Sequence, residues 1–412
     1  MIKQVLLFLS FSILIAGPVA AQKGGVTPAQ QMVAETGEDS LNSFGASHSH
    51  TVISGYGEVA YQRDFNAQTS TVNLSRAVLF VGHQFTGRIA FFSELEVENA
   101  KVEAGGTTGE VGMEQCYLKF ALNPRQYIVA GLFVPRIGIT NEGHLPVNFN
   151  GVERPIVETI VIPSTWREIG VGFYGQTTGL PLTYSVALLT GLNNAGFQHG
   201  SGIREGRMEG QFGTANNLAI TAAVQYFAGN WRLQASGYMG GSTGLSPKAA
   251  DTMGLKGGPF GSPVYLAEAD VQYQDKGISF KVLATTIAIP DAEKINNAYG
   301  NSVANNMYGA YAELGYNLLQ HAKKTKWNTK QLVAFARFEA LDLNAKIPAG
   351  TVYDGTEKQT HLIAGFSYLP MPNVVIKADV RLLHTGAETF GTLTNSYNQN
   401  NTFLNIGIGY SF

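Results

Sequence analysis

The segment between residues 136 and 167 concentrates charges of both signs among apolar neighbours. Exposed loops are normally polar, so a long apolar loop is expected to fold back and pack on a wall of the protein. Opposite charges that face a charged wall would create a transverse field across a narrow water path, and such fields set ion preference. The charged residues of this candidate constriction loop are Arg136, Glu142, His144, Glu153, Arg154, Glu158 and Arg167.

The wall that would face this loop is predicted from strands in which apolar and polar residues alternate. Residues 89–98 read IAFFSELEVE, and the stretches 267–273, 332–339 and 374–382 alternate in the same way. Because a strand side chain changes face at every residue, one face of each strand is apolar and the other is charged. The predicted inward residues are Glu94, Glu96, Glu98, Arg232, Glu268, Asp270, Lys281, Glu313, Arg337, Glu339, Lys377, Asp379 and Arg381.

Two roles are open for each of these charged residues. A residue could act directly on ions in the narrowest part of the path. It could also keep the interior wet or pair with another charge across neighbouring strands. A direct role is favoured most for Glu153, Arg154 and Glu158, which lie on the loop itself.

The composition indicates an all-β protein with one wet face and one apolar face. Charged residues make up 14% of the chain, against about 25% in soluble domains, and the mean hydropathy is zero. The sequence after residue 21 has no apolar run as long as a spanning helix, which needs about 20 residues. If the chain crosses a membrane, it must therefore do so as a closed barrel.

The alternating pattern predicts a 16-stranded antiparallel transmembrane β-barrel with an inward-folded third loop. Short and long gaps alternate between the segments, as in barrels with short turns at one end and long loops at the other. The stretch 111–120 changes phase near Glu114 and Gln115, which predicts a β-bulge. The predicted strands are 51–63, 72–85, 88–100, 110–122, 127–138, 167–177, 181–191, 217–228, 231–242, 263–274, 278–289, 306–319, 330–342, 359–369, 374–385 and 402–412.

The first residues have the pattern of a secretory signal peptide. Lys3 precedes a short apolar run, and small residues lead to a cleavage site after Ala21, so residues 1–21 are predicted to be removed. Residues 22–49 are predicted to be a mobile periplasmic segment, with only a weak signal for a short helix from Pro28 to Glu35. The barrel domain is predicted to span residues 50–412.

No motif for catalysis, metal binding or a cofactor stands out. The chain lacks G-x-S-x-G, H-E-x-x-H and a phosphate-binding loop, and the HSH at 48–50 has no third ligand at a metal-site spacing. The net charge of −2 gives no argument for a nucleic acid partner. Cys116 is the single cysteine, so an internal disulfide is excluded.

The last twelve residues, NTFLNIGIGYSF, alternate up to a terminal aromatic. The final strand of a barrel must pair with the first, so its pattern has to persist to the end, although any C-terminal edge strand can end in Phe. The ending resembles the signature that the barrel-assembly machinery reads in bacterial outer-membrane proteins. The residues of this assembly signal are Ile406, Ile408, Tyr410 and Phe412.

Taken with the strand pattern, these features resemble Gram-negative outer-membrane porins. The hairpins, third loop and terminal GYSF are similar to general 16-stranded trimeric porins, and residues 131–175 resemble the phosphate-selective porin O/P group. The resemblance implies passive diffusion, a homotrimer, and contact with outer-membrane lipid and lipopolysaccharide. Phosphate-selective channels carry many inward basic residues, whereas acids slightly outnumber bases here, so phosphate selectivity is not implied.

We therefore expect a water-filled channel for small polar solutes and ions, with a weak or slightly cationic preference. An uptake channel specific for phosphate, an organic acid or a sugar is the main alternative. An enzyme inside a barrel would need a histidine, an acid and a nucleophile together, and the eight histidines are scattered. An adhesin with a blocked lumen is a further alternative.

Overall fold

The computed structural model describes residues 25–37, 49–100, 109–322, 329–350, 354–388 and 399–412. The predicted signal peptide lies outside these residues, as does most of the predicted mobile segment. None of the helices within the described ranges is long and apolar enough to cross a bilayer.

Sixteen antiparallel strands form one closed barrel, which confirms the predicted fold class. Each strand pairs with its neighbours in sequence, and the last strand pairs with the first. The strands are β1 His50–Asp64, β2 Thr69–Gln84, β3 Ile89–Glu98, β4 Glu110–Asn123, β5 Gln126–Phe133, β6 Glu168–Gln176, β7 Leu182–Thr190, β8 Leu218–Ala228, β9 Trp231–Gly240, β10 Val264–Asp275, β11 Ile278–Ala288, β12 Asn306–Asn317, β13 Gln331–Lys346, β14 Lys358–Met371, β15 Val374–Thr385 and β16 Asn400–Ser411.

Strand boundaries agree closely with the sequence-based prediction except at the ends of two strands. Strand β5 ends at Phe133 rather than at residue 138, and Pro135, which has no N–H to donate to a ladder, follows almost at once. Strand β13 continues to Lys346, past the predicted end at residue 342. Arg136 therefore lies in the connection between β5 and β6, the predicted third loop (the third connection below), rather than on a strand.

The predicted change of phase in β4 is a β-bulge, as expected. Glu94 pairs with Gln115 while Leu95 pairs with Met113, so Glu114 has no partner residue on β3. Gln115 donates to Glu94 within the barrel, and Glu114 is buried beside it. The bulge thus turns two successive polar side chains of β4 inward.

The two faces of the barrel differ as the alternation predicts. Large apolar side chains are exposed on the outer face, including Leu79, Val171, Phe338 and Val380. The wall residues predicted by parity lie on the inner face, where nine of them are buried: Glu94, Glu96, Glu268, Asp270, Glu313, Arg337, Glu339, Lys377 and Asp379. On β16 the outward side chains include Ile406, Ile408 and Tyr410, and Phe412 follows the strand; each of the four is at least 40% exposed.

Short and long connections alternate around the barrel. Residues 124–125 and 229–230 are tight turns at one end, which we call the short-turn end. Residues 134–167 and 191–217 are among the long connections at the opposite end. Two short helices, α2 (Pro247–Thr252) and α3 (Ala292–Tyr299), lie in other long connections; a third helix, α1, precedes β1. The first residue of β1 lies at the short-turn end, where β16 also ends.

Helix α1 spans Pro28–Glu35 and packs on the inner wall; the mobility expected of residues 22–49 stays a prediction. A capping box between Thr27 and Gln30 starts the helix. Its buried residues join Phe80 and Phe92 of the wall in one apolar cluster. The Lys119 ammonium donates to the carbonyls of Val33 (2.7 Å) and Ala34 (2.9 Å), a favourable place for a cation at a helix C-terminus.

A large apolar cluster fills the side of the interior lined by β5 to β13. Its members include Val157, Val161 and Ile162 of the third connection, all fully buried. Further members come from the long connections 191–217 and 241–263. The apolar residues that made the third connection unusual in sequence therefore pack on the inner wall, and the polar part of the interior is left on the opposite side.

Candidate functional site

Glu158 joins the two ends of the third connection, which we call the third loop (residues 134–167). Its fully buried carboxylate accepts hydrogen bonds from the backbone N–H groups of Ile139 and Thr140, both at 2.7 Å. The other oxygen accepts a 2.6 Å hydrogen bond from the hydroxyl of Tyr311 on β12. This carboxylate, predicted to act on ions, is thus fully occupied in holding the loop.

Wall carboxylates on three other strands also bind the backbone of the third loop. Asp379 on β15 accepts from the N–H of Val152 at 2.7 Å, and Glu339 on β13 accepts from the N–H of Val157 at 2.9 Å. Glu268 on β10 accepts from a loop N–H at 3.4 Å. Charge-assisted hydrogen bonds of this kind are stronger than neutral ones, so the loop is tied to strands on several sides of the barrel.

Arg337 is the centre of a buried ion network between the wall and the loop. Its guanidinium contacts Glu339 at 2.8 Å and Glu313 at 3.2 Å. It also donates to the loop carbonyls of Asn150 (3.1 Å) and Glu153 (3.3 Å). With 2% of its surface exposed, this arginine acts as a support of the loop rather than as a group that meets solute.

The other charged residues predicted from sequence make contacts either with the third loop or with another charged residue. Lys281 donates to a loop carbonyl at 3.1 Å, and Lys377 lies 3.6 Å from the ring centre of Phe149. Ion pairs join Arg381 to Glu153 (3.0 Å), Arg232 to Asp270 (3.8 Å) and Arg136 to Glu142 (2.8 Å).

Two cavities with charged residues in their lining lie between the third loop and the wall formed by β1 to β4 and β15 to β16. The first has a volume of about 350 Å³, and the second, nearer to β4, about 300 Å³. They adjoin, because the same five residues line both: Arg76, Glu98, Arg154, Ser164 and Arg204. Glu96, Glu153, Arg167 and Lys377, also predicted from sequence, line one of the two cavities.

Acidic and basic residues are mixed around these cavities. Arg76 pairs with Glu58 at 2.9 Å, while Glu209 pairs with Arg167 at 2.9 Å and Arg207 at 2.8 Å. The acidic lining residues are Glu58, Glu96, Glu98, Glu110, Glu114, Glu153, Glu205 and Glu209. The basic lining residues are Arg76, Arg154, Arg167, Arg204, Arg207 and Lys377.

Several of these lining residues were missed in the sequence. Glu58 and Arg76 follow the strand alternation of β1 and β2 and could have been found by parity. Arg204, Arg207 and Glu209 lie in the connection 191–217, which has no periodic pattern, so no sequence signal pointed to them. They reach the cavity because Arg204 donates to the carbonyl of Thr159 at 2.6 Å, and the guanidinium of Arg207 donates to a carbonyl of the same loop at 2.8 Å.

Burial and mutual repulsion affect the charges of this connection. Burial and the charge of Arg207 lower the pKa of Arg204 to about 10. Burial also lowers the pKa of Arg207, although Glu209 opposes the effect. Arg204 therefore carries its charge beside that of Arg207, and Arg207 carries its charge beside that of Arg167.

His144 of the third loop forms a buried cluster with Glu94 and Glu114. Its Nε2 atom lies 3.0 Å from Glu94 and 3.8 Å from Glu114. Burial alone would lower the pKa of His144, but the two carboxylates outweigh it and the pKa lies above the usual 6.5. The sequence predicted His144 and Glu94 as site residues, but not that they lie together. The change of phase near Glu114 predicted a bulge, but it did not show that Glu114 joins the other two.

The chain is 31% identical over 344 residues to an uncharacterised protein of Aquifex aeolicus, over 79% of this chain and 74% of that protein. No protein-family model matches it. Among solved structures, an anion-selective porin from Comamonas acidovorans superposes with a TM-score of 0.52 at 12% identity, over 89% of this chain and 100% of the porin. A trimer form of OmpT, an outer-membrane protein of Vibrio cholerae, gives 0.50 at 10% identity, over 88% and 99%.

Proposed function

Because the chain belongs to the same family as the Aquifex aeolicus protein and has the barrel fold of outer-membrane porins, we propose that it is a passive channel in a Gram-negative outer membrane. Small polar solutes and ions would diffuse through it, and it would act as a channel and not as an enzyme. The exposed apolar side chains on the outer face of the barrel would contact membrane lipid and lipopolysaccharide.

The observation that carries this proposal is the pair of adjoining cavities, both lined by charged residues, between the third loop and the wall. A barrel of sixteen strands is wide enough for an aqueous channel, and here much of the interior is closed by apolar packing. These cavities are accessible space directly beside the loop, which supports a role for the loop as a constriction. Glu153 and Arg154 on the loop would face solute there, together with Arg76 and Glu98 on the wall.

Ion preference follows from the balance of charge around this path. Eight acidic and six basic residues line the two cavities, so a weak preference for cations is expected. Reversal potentials in a KCl gradient across a planar bilayer test the proposal. A modest cation preference is expected; strong anion selectivity would contradict the charge argument, and absence of any conductance would contradict the channel.

A second candidate function is an uptake channel specific for an organic acid or phosphate. Three guanidinium groups at one cavity, those of Arg167, Arg204 and Arg207, favour it, and an anionic solute would compete with Glu209 for two of them. Liposome swelling with neutral sugars and with carboxylates of equal size separates the two functions. Equal rates indicate general diffusion, whereas a rate that saturates for one anion class indicates a specific channel.

We further propose that the protein is a homotrimer assembled by the outer-membrane barrel machinery. The trimer form of OmpT supports the first part. The outward apolar residues at alternate positions of β16 up to Phe412 support the second. Mass determination in detergent would test the trimer, and deletion of Phe412 would test the assembly signal.

A further inference from the structure

The cluster of Glu94, Glu114 and His144 has the donor set and spacing of a transition-metal site. The three side chains come from β3, the bulge of β4 and the third loop. One ligand atom from each lies within 4.8 Å of the other two. All three residues are at most 2% exposed, and Glu114 lines the second cavity, which gives an ion a route to the cluster.

The histidine ring is held in the orientation that a metal ligand needs. Its Nδ1 atom lies 2.9 Å from the carbonyl oxygen of Asn141, and a carbonyl can only accept, so Nδ1 carries the proton. Nε2 lies 3.0 Å from Oε1 of Glu94, and once it gives up its proton its lone pair faces both carboxylates. A hydrogen bond from the second ring nitrogen to a carbonyl is the usual outer-shell support of a metal-bound histidine.

Glu114 presents an oxygen that the protein leaves unused. Its Oε2 atom is buried and has no hydrogen-bond partner among the described residues, and it is the atom that faces His144. The other oxygen, Oε1, is occupied by the hydroxyl of Thr165 and by Arg167 at 3.5 Å. Buried polar atoms are nearly always paired, so a buried carboxylate oxygen without a hydrogen bond, 3.8 Å from an imidazole nitrogen, points to a missing ligand.

We propose that Glu94, Glu114 and His144 bind a divalent transition-metal ion, with Zn²⁺ the best match. Tetrahedral zinc with bonds of about 2.0 to 2.1 Å places its ligand atoms roughly 3.3 Å apart. The observed separations from Nε2, 3.0 and 3.8 Å, lie on either side of that value. Magnesium and calcium prefer sites made only of oxygen ligands, so the imidazole selects against them.

A metal here would tie the third loop to the wall beside the second cavity. It would fix His144 of the loop to two strands and would neutralise negative charge at the path. This consequence rests on the proposed channel function, whereas metal binding itself does not. We expect Zn²⁺ to slow hydrogen exchange of residues 139–146 and to shift the reversal potential toward anions.

The test uses the full barrel refolded in detergent and treated with chelator, titrated calorimetrically with ZnCl₂ and separately with MgCl₂. We expect one Zn²⁺ site per chain, with at least a tenfold weaker affinity in both His144→Gln and Glu114→Gln. The control is His199→Gln, because His199 belongs to a different cluster with Asp354 and Glu357. Each variant is first checked for a folded barrel by heat-modifiable migration on a gel.

Loss of Zn²⁺ binding in the His199 variant, or its persistence in both variants of the cluster, would overturn the proposal. So would the absence of binding to the folded parent barrel. Cobalt substitution provides a second readout, since the absorption bands of Co²⁺ report nitrogen and oxygen ligands in the folded protein. A barrel that conducts ions but binds no Zn²⁺ refutes the metal site alone, and one that binds Zn²⁺ without conducting refutes the channel alone.

Discussion

The hydroxyl of Tyr311 lies 2.6 Å from Oε1 of Glu158 and links the inner face of β12 to the third loop. Tyr311 is 3% exposed and Glu158 is fully buried. The same carboxylate closes the loop on itself through its second oxygen. This buried anion, which one wall side chain helps to satisfy, is therefore one of the contacts that fix the position of the loop.

Replacing Tyr311 with Phe is expected to loosen the loop without disturbing the barrel. The change leaves one buried carboxylate oxygen of Glu158 without its donor, at a cost of about 1 to 3 kcal/mol. Hydrogen exchange of the amides at 139–162 should accelerate accordingly. Tyr308→Phe on the same strand is the matched control, since its ring is outward and 42% exposed. Equal exchange in both variants would mean that the contact does not hold the loop.

Arg337 provides a test of the ion network beneath the loop. Substitution with Gln removes the cation that serves the buried carboxylates of Glu313 and Glu339. Breaking a buried network from one side typically costs about 3 to 5 kcal/mol, so the melting temperature in detergent should fall clearly. Lys294→Gln, at an exposed position of helix α3, should leave it unchanged. A melting temperature equal to the parent's in Arg337→Gln would contradict the assigned role.

The barrel itself was predictable because strands have a period of two residues. Sixteen alternating segments, and charges on one parity such as Glu268 and Arg337, were enough to give the strand number and the inner face. The parity could not show which inward charges meet water. Glu339 and Asp379 are occupied by backbone groups of the loop, and such contacts depend on a fold-back that has no periodic signal.

Non-periodic segments also hid part of the site. Arg204 and Arg207 reach the cavity from a connection whose path is set by tertiary hydrogen bonds. Helix α1 was only a weak amphipathic pattern in sequence. It packs because the wall offers Phe80 and Phe92 as an apolar surface, and those two residues lie on the inner parity where polar residues were expected.

Neutralising charges that line both cavities should move ion preference in opposite directions. Glu98→Gln should shift the reversal potential toward anions, and Arg204→Gln should shift it toward cations. Both shifts should shrink in high salt, because the screening length falls from about 30 Å at 0.01 M to about 3 Å at 1 M. Asp251→Asn, at an exposed position of helix α2 that lines neither cavity, is the control. Identical shifts from the first two variants would show that neither residue lies on the ion path.

Helix α1 narrows the interior at the short-turn end, so expelling it should raise the single-channel conductance. Val33 is 4% exposed and packs in the apolar cluster. Val33→Asp would bury an unpaired charge, which costs several kcal/mol, and should release the helix. Gln31→Asp is the control, because it introduces the same charge at an exposed position of the helix. This variant should conduct like the parent. Deletion of residues 25–37 should reproduce the effect of Val33→Asp. If both changes leave conductance at the parent value, the helix lies beside the water path and not across it.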